Sequence, residues 1–348
     1  MIGADAQTAV FRFDAGPHMG GGHAMRCLTL ADAMIHAGWR CRFAIGAGTM
    51  ETVHRLAAHA ADCIALSGDV AAEPEEILTA LAGARCDLLV ADHYGRDADF
   101  ETPCRAFADA VLVIDDLADR PHDADLLLDQ NLGRRAADYA DLVPAGCRVL
   151  TGPTYALLRP EFAALRSNAL VRRRAAERVE RILVSFGMAD PNGLTLRGLR
   201  AIAAAGYKGH VDAVIGGGAP DIADVHALAA EMGPQVRVLS DVEDMATLMA
   251  DADLAIGAGG TTSWERCALG LPALVLIVAD NQIPIAEALA DAGAAWIIGD
   301  LGVAEGTLRA AIGDILADER AVLAGAMAAA DICDGEGCGR VLEALYDG

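Results

Sequence analysis

Near its start the chain reads strand, loop, helix, strand. TAVFRF (8–13) is β-prone. Met25, Leu28, Ala31 and Ile35 then recur at helical spacing, and Gly38 ends the run. RCRFAI (40–45) returns as a strand. The pattern predicts a βαβ unit with a glycine-rich loop after its first strand. Short apolar runs at DLLVA (87–91), AVLVI (110–114) and DLLLD (125–129) predict further strands, separated by helical or loop stretches. Such alternation predicts a parallel sheet with helices on both faces.

The pattern breaks near 152–180, where GPTYALLRPEFAALR is followed by VRRRAAERVER, the most basic stretch of the chain. It reads as an interdomain connection whose arginines form a solvated linker or helix face. The second half then restarts. RILVSF (181–186), VDAVI (211–215), DLAIG (253–257) and ALVLIV (273–278) each lead into a glycine-rich or polar loop and then a helix. The expected fold class is α/β, with two Rossmann-like domains facing each other across a cleft. The first domain spans 1–155 and carries the glycine loop; a linker covers 156–180; the second domain spans 181–348, its last helix either staying there or packing back on the first. In such sheets ligands sit at the carboxyl ends of the strands.

At 348 residues and 54% hydrophobic content, the chain has material for two ordinary cores. Aromatic content is only 4%, so alanine, leucine and valine must fill them. The net charge of −23 argues against a nucleic-acid partner and against adhesion to an anionic membrane surface. An anionic ligand stays compatible, because a helix N-terminus binds one locally. MIGADAQTAV has neither the basic nor the apolar region of a signal peptide. ALVLIVA (273–279) is far too short to span a bilayer. The nine cysteines are scattered, with no C-x-x-C pair, which fits buried thiols in a reducing, cytoplasmic setting.

Candidate chemistry gathers at the predicted strand ends. In GAGGTTSWERCALGLP (257–272), Gly259 and Gly260 open a helix whose first turn holds Thr261, Thr262 and Ser263. N–H groups, hydroxyls and the helix dipole there suit a phosphate, and an ordinary capped turn is the equal alternative. Glu265 sits about one turn inside, at a depth suited to a ribose diol. The segment is neither a Walker A loop nor a dinucleotide fingerprint. In DAGPHMGGGHAMR (14–26), His23 stands where the glycine loop becomes a helix, a plausible place for a general base. Asp92, His93 and Tyr94 lie just beyond another strand, as do Asp115, Asp116 and Asp119. Asp-x-Asp pairs occur at 97/99, 123/125 and 251/253, but no zinc-like spacing and no G-x-S-x-G elbow is present. No catalytic metal and no cofactor is expected.

Taken together, GGGHAMRCLTLADAM, VADHYG, VLVIDDLADRPHDADLLLDQN, GPTYALLRPEF, ILVSFG…DPN and GAGGTTSWERCALGLP…NQ resemble the UDP-sugar hydrolases of pseudaminic acid biosynthesis. The matches run in order from about residue 10 to about residue 285. The resemblance implies a glycosyltransferase-B architecture, similar to the lipid II-forming N-acetylglucosaminyltransferase. It implies metal-independent, inverting hydrolysis of UDP-2,4-diacetamido-2,4,6-trideoxy-β-L-altropyranose to UDP and free sugar, a step toward flagellin glycosylation. By position it implies His23 as catalytic base, with Tyr94, Asn281 and Gln282 at the substrate and Gly259, Gly260, Thr261, Thr262 and Glu265 holding UDP. Gly20, Gly21 and Gly22 are expected against the sugar-phosphate, with Arg26 beside them as a support for the loop. One departure is visible: Met188 and Ala189 follow Gly187 where the family has a second glycine and a hydroxyl residue, which weakens any contact from that loop. The partner is then a small UDP-sugar, with oligomeric state open. A UDP-sugar glycosyltransferase with an unidentified acceptor, or a non-enzymatic nucleotide-sugar-binding module, are the alternatives.

Overall fold

Strands covered on both faces read as continuous apolar runs, and the central strands here are of that kind. A computed structural model describes residues 6–16, 20–187, 189–240 and 242–346. Pro17, His18 and Met19 of the glycine loop, and Met188, lie outside the described residues. The chain divides into two units, one built from residues up to Leu158 together with those from Glu336 onward, the other from Arg159–Gly335.

The first unit holds β1 (Thr8–Phe13), β2 (Arg40–Ile45), β3 (Cys63–Ala65), β4 (Cys86–Asp92), β5 (Ala108–Ile114), β6 (Leu126–Asp129) and β7 (Arg148–Thr151). They pair in parallel in the order β3-β2-β1-β4-β5-β6-β7. Its helices include α1 (Gly22–His36), α2 (Thr49–Thr52), α3 (Glu73–Ala80) and α4 (Ala98–Cys104). One face of the sheet packs Phe11, Phe13 and Phe43 against Leu28 and Met34 of α1. The other packs Val10, Leu89, Val111 and Val113 with Phe107. The buried stripe of α1 runs through Ala24, Cys27, Leu28, Ala31 and Met34, which leaves Ile35, expected on the apolar face, one step round the helix and exposed.

The second unit repeats the plan with β8 (Arg181–Ser185), β9 (His210–Val214), β10 (Val236–Leu239), β11 (Leu254–Ala258), β12 (Ala273–Ile277) and β13 (Ala295–Asp300), parallel in the order β10-β9-β8-β11-β12-β13. Its helices are α5 (Pro160–Ala175), α6 (Leu194–Ala204), α7 (Ile222–Met232), α8 (Met245–Asp251), α9 (Thr262–Ala268), α10 (Ile283–Asp291), α11 (Glu305–Leu316) and α12 (Glu319–Ile332). The last helix, α13 (Gly337–Tyr346), belongs to the first unit, where its Val341 and Ala344 enter the core. Gly337 permits the approach: a Cβ there would lie 2.2 Å from the Ala156 carbonyl oxygen.

The linker expected over 156–180 is instead mostly α5, a helix of the second unit. Its arginines are not all solvated. Arg166 donates to the carbonyls of Ala268 (2.6 Å), Ala330 (2.6 Å) and Cys333 (2.8 Å). Arg173 is buried and donates to the carbonyls of Met249 (2.7 Å), Leu269 (2.8 Å) and Ala252. These carbonyls end α8, α9 and α12, whose last four C=O groups have no helical partner. Among the described residues no helix is long and apolar enough to cross a membrane.

Candidate functional site

In each sheet the chain winds outward one way from a central strand and then the other way, so loops part at a switch point where ligands bind in this class of fold. In the first unit the switch lies between β1 and β4. The loop after β1 is closed by Gly20, whose N–H donates to the Gly16 carbonyl (2.8 Å). Gly20 has φ +74°, the left-handed region that favours glycine. A Cβ at Gly20 or Gly21 would meet no atom within 4 Å, so this backbone is bare for reasons other than packing. Gly21 caps α1 and Gly22 begins it, with no side-chain cap among the described residues.

His23 follows, and its Nδ1 lies 2.6 Å from Asp92 Oδ1 at the end of β4. Asp92 is fully buried. Arg26, one turn on, grips the same carboxylate twice, Nε to Oδ2 at 2.6 Å and Nη2 to Oδ1 at 2.6 Å. Burial alone would raise the Asp92 pKa, but the charges and hydrogen bonds of Arg26 and His23 outweigh it and hold the carboxyl well below its usual range. An ionised carboxylate only accepts, so Nδ1 of His23 carries the hydrogen of this bond, and in the neutral imidazole Nε2 then keeps its lone pair. No other hydrogen bond to His23 exists among the described residues. Tyr94 stands edge-on to the imidazole, centroids 4.6 Å apart, and its hydroxyl donates to Asp116 Oδ2 at 3.4 Å. Asp116 Oδ2 also accepts from Arg26 Nη1 at 3.0 Å.

Other residues at this sheet edge do different work. His93 points elsewhere, its Nδ1 accepting from the Gly95 N–H and its Nε2 facing Asp14 at 3.2 Å. Asp115 accepts from Leu117 N–H, Ala118 N–H and the Tyr139 hydroxyl, fixing the turn that carries Asp116. Asp119 is exposed and pairs with Arg120. Behind them, Arg12 and Arg96 both clamp the buried Glu73.

In the second unit the switch lies between β8 and β11. The Gly259 N–H donates to Gln282 Oε1 at 3.2 Å, and the Val278 N–H reaches the same oxygen at 3.3 Å. Gln282 thus pins the glycine turn to the loop after β12. A Cβ on Gly259 would press on Val275 at 3.3 Å. Thr261 and Thr262 are half-buried at the start of α9, beside Gly260, while Asn281 is exposed in the short turn 280–282. Ser263 faces inward, accepting from Arg266 Nη2 at 2.8 Å. Glu265 has no hydrogen-bond partner among the described residues. Burial pushes its carboxyl up to about 7, against the pull of Arg159 and Arg266. The loop after β8 differs: Asp190 accepts from the N–H groups of Leu194 (2.9 Å) and Thr195 (2.8 Å), so a carboxylate already occupies the start of α6.

The Glycosyltransferase family 28 C-terminal domain matches residues 201–334, within the second unit. The spore coat polysaccharide biosynthesis protein SpsG of Bacillus subtilis is 29% identical over 246 residues, 66% of this chain and 66% of that protein. The UDP-2,4-diacetamido-2,4,6-trideoxy-β-L-altropyranose hydrolase of Campylobacter jejuni is 29% identical over 153 residues, 44% of this chain and 52% of that protein. The chain thus spans 66% and 52% of the lengths of these two curated relatives. MurG of Acinetobacter baumannii superposes with a TM-score of 0.70 at 17% identity, covering 98% of this chain and 100% of that one. The fold is that of the glycosyltransferase-B enzymes.

Within this fold, the first unit brings His23 and Arg26 together with Tyr94, and the second brings Gly259, Gly260, Thr261 and Thr262 together with Gln282. Arg26, expected beside the glycine loop as its support, is buried with all three guanidinium nitrogens on carboxylates. The sequence placed Asp92 and Asp116 at strand ends without assigning them partners. The only signal available was their position after apolar runs. The three Asp-x-Asp pairs all contain residues with structural partners: Asp97 caps α4, Asp123 and Asp125 hold Arg105, and Asp253 holds the N–H groups of Glu180 and Arg181.

Proposed function

We propose that the chain hydrolyses a UDP-sugar at its anomeric carbon, with UDP-2,4-diacetamido-2,4,6-trideoxy-β-L-altropyranose as the substrate. The observation that carries this reading is the buried Asp92–His23 pair, which leaves Nε2 as a proton acceptor at a switch point. Water attacks the anomeric carbon opposite the diphosphate, and His23 Nε2 takes its proton. The carbon–oxygen bond to UDP breaks, its electron pair leaves on the diphosphate, and the configuration inverts. The N–H groups and hydroxyls from Gly259 to Thr262 receive that charge. Asp190 already fills the α6 terminus, which favours the loop after β11 for this task. Tyr94 and Asn281 contact the sugar, and Glu265 holds the ribose hydroxyls. The similarity to the Campylobacter jejuni hydrolase supports the substrate.

The match to the glycosyltransferase family 28 domain favours a second reading, in which the same base activates an acceptor hydroxyl. One experiment separates them. The protein is incubated with UDP-sugar alone in oxygen-18 water, with and without EDTA. Hydrolysis yields UDP and free sugar with the label in the sugar, unchanged by chelation. A transferase stays nearly idle until an acceptor is added, and a binding module does nothing at all. Label in UDP overturns the mechanism.

A further inference from the structure

Arg26 is 4% exposed, and each guanidinium nitrogen meets a carboxylate: Nε and Nη2 on Asp92, Nη1 on Asp116. It cannot reach a ligand without abandoning one of them. We propose that Arg26 is a positioning residue: through Asp92 it fixes the proton of His23 on Nδ1 and so keeps Nε2 free to accept another. The inference deepens the hydrolase reading, but its core, a protonation state, exists without substrate.

The groups around the pair leave Arg26 no substitute. From α1, Asp92 faces His23, Arg26 and the Cys27 thiol, whose sulfur lies 3.5 Å away. From the segment after β5, Asp116 adds a second negative charge against Arg26, and Tyr94 lies against His23. Among the described residues no other arginine or lysine pairs with the carboxylate of Asp92 or Asp116; Arg134 Nη2 meets the Asp116 backbone carbonyl at 3.0 Å and the Asp129 carboxylate holds its Nε. Removing the guanidinium therefore leaves a buried carboxylate with only uncharged partners, the imidazole and the Cys27 thiol, and close to another carboxylate. A buried charge in that position takes up a proton. The proton has two places to go. On Asp92 it makes a hydroxyl that donates to Nδ1, which moves the imidazole proton to Nε2. On His23 it makes the imidazolium. Both leave hydrogen on Nε2, and neither can accept the proton of an attacking water. Lysine keeps the charge without the two-pronged grip.

The test uses nitrogen-15 histidine labelling of the full chain, as wild type, Arg26→Met and Arg26→Lys, near neutral pH without substrate. Nε2 of His23 is expected bare in wild type and in Arg26→Lys, and protonated in Arg26→Met. With the UDP-sugar, kcat of Arg26→Met is expected to fall roughly 100- to 1000-fold near neutrality, within the usual worth of a positioned base. KM changes little, and the acid limb of the kcat profile moves to higher pH, so the deficit shrinks as pH rises. A bare Nε2 in Arg26→Met, or a deficit equal at every pH, overturns the proposal. Should Arg26→Met not fold, Arg26→Gln, which keeps donors and loses the charge, decides on the same readouts. A wild type that turns over no UDP-sugar removes the hydrolase reading alone, and the nitrogen-15 spectra still judge Arg26.

Discussion

Arg26 in the first unit and Arg173 in the second are equally buried, 4% and 3% exposed, yet their surroundings are opposites. Arg26 meets carboxylates on every side. Burial works against its charge, and Asp92 and Asp116 more than restore it, so its pKa rises. Among the described residues Arg173 donates only to backbone carbonyls at the ends of α8 and α9. Burial and the neighbouring Arg172 push its pKa down, and Asp253 and Asp251 offset only part. Carbonyls at a helix end carry about half a charge and satisfy donors. They join helices together, but they do not titrate. Carboxylates titrate, so a buried arginine set on them controls where a neighbouring proton sits. The partners, and not the residue type, separate a site from a seam.

The sharpest test of that contrast is on the site side. His23→Ala is expected to lower turnover by roughly 100- to 10,000-fold, the usual worth of a positioned general base. Asp92 keeps its Arg26 clamp in this variant, so the protein should still fold, with a loss of roughly 1–3 kcal/mol from the missing buried donor. Near-normal turnover would make His23 structural. Arg173→Met tests the other side. It strips donors from three buried carbonyls, each costing roughly 1–3 kcal/mol when unpaired, with water relieving part. A loss of about 3 kcal/mol of stability is expected by chemical denaturation, with the pH–rate profile of the folded protein unchanged. An altered profile would mean that the two arginines are not of different kinds.

Much of the fold could be read from apolar runs, because the central strands β1, β4, β5, β8, β11 and β12 are buried and continuous. The strands left unread lie at or near sheet edges. β3 has three residues, β7 and β10 (RVLT and VRVL) carry arginines that an edge tolerates, and the edge strand β13 (AWIIGD) went unread beside them. The arginines of α5 looked like a solvated run because sequence shows their charge and hides the carbonyls they meet. His23 stood out as a candidate base from its place after a glycine loop. Its partner was not, since nothing in the residues between 23 and 92 says which strand end faces which helix start. Asp190 was hidden likewise: a carboxylate that caps its own helix looks, in sequence, like one waiting for a ligand.

Glu265 gives the smallest effect and the finest distinction, because it is a carboxylate of the second unit whose shift has the opposite sign to that of Asp92. Asp92 lies below its ordinary 3.8, so it contributes stability at neutral pH that is lost as acid protonates it. Glu265 is pushed by burial from 4.5 to about 7, so it costs stability at high pH and the cost is relieved as pH falls from about 7 toward 4.5. A protein tolerates such a group where a ligand uses it. Ribose hydroxyls can donate to the ionised form, and such charge-assisted bonds are worth roughly 1.5–3 kcal/mol. In the proposed reaction the ribose does not change, so such a bond would be uniform binding that acts on KM and leaves kcat alone. Glu265→Ala should therefore weaken UDP by roughly 10- to 100-fold. The charge itself is tested with Glu265→Gln, by calorimetric titration of UDP into both proteins between pH 6 and pH 8. Titration of the UDP phosphate is common to both and cancels in the ratio of affinities. The wild-type advantage should be largest at the alkaline end and shrink by up to about tenfold as pH falls through the Glu265 range, since one pH unit shifts a titrating interaction by at most a decade. A ratio that stays flat across that range would mean that Glu265 does not meet UDP as a carboxylate, and would return it to the class of half-buried groups that serve only the fold.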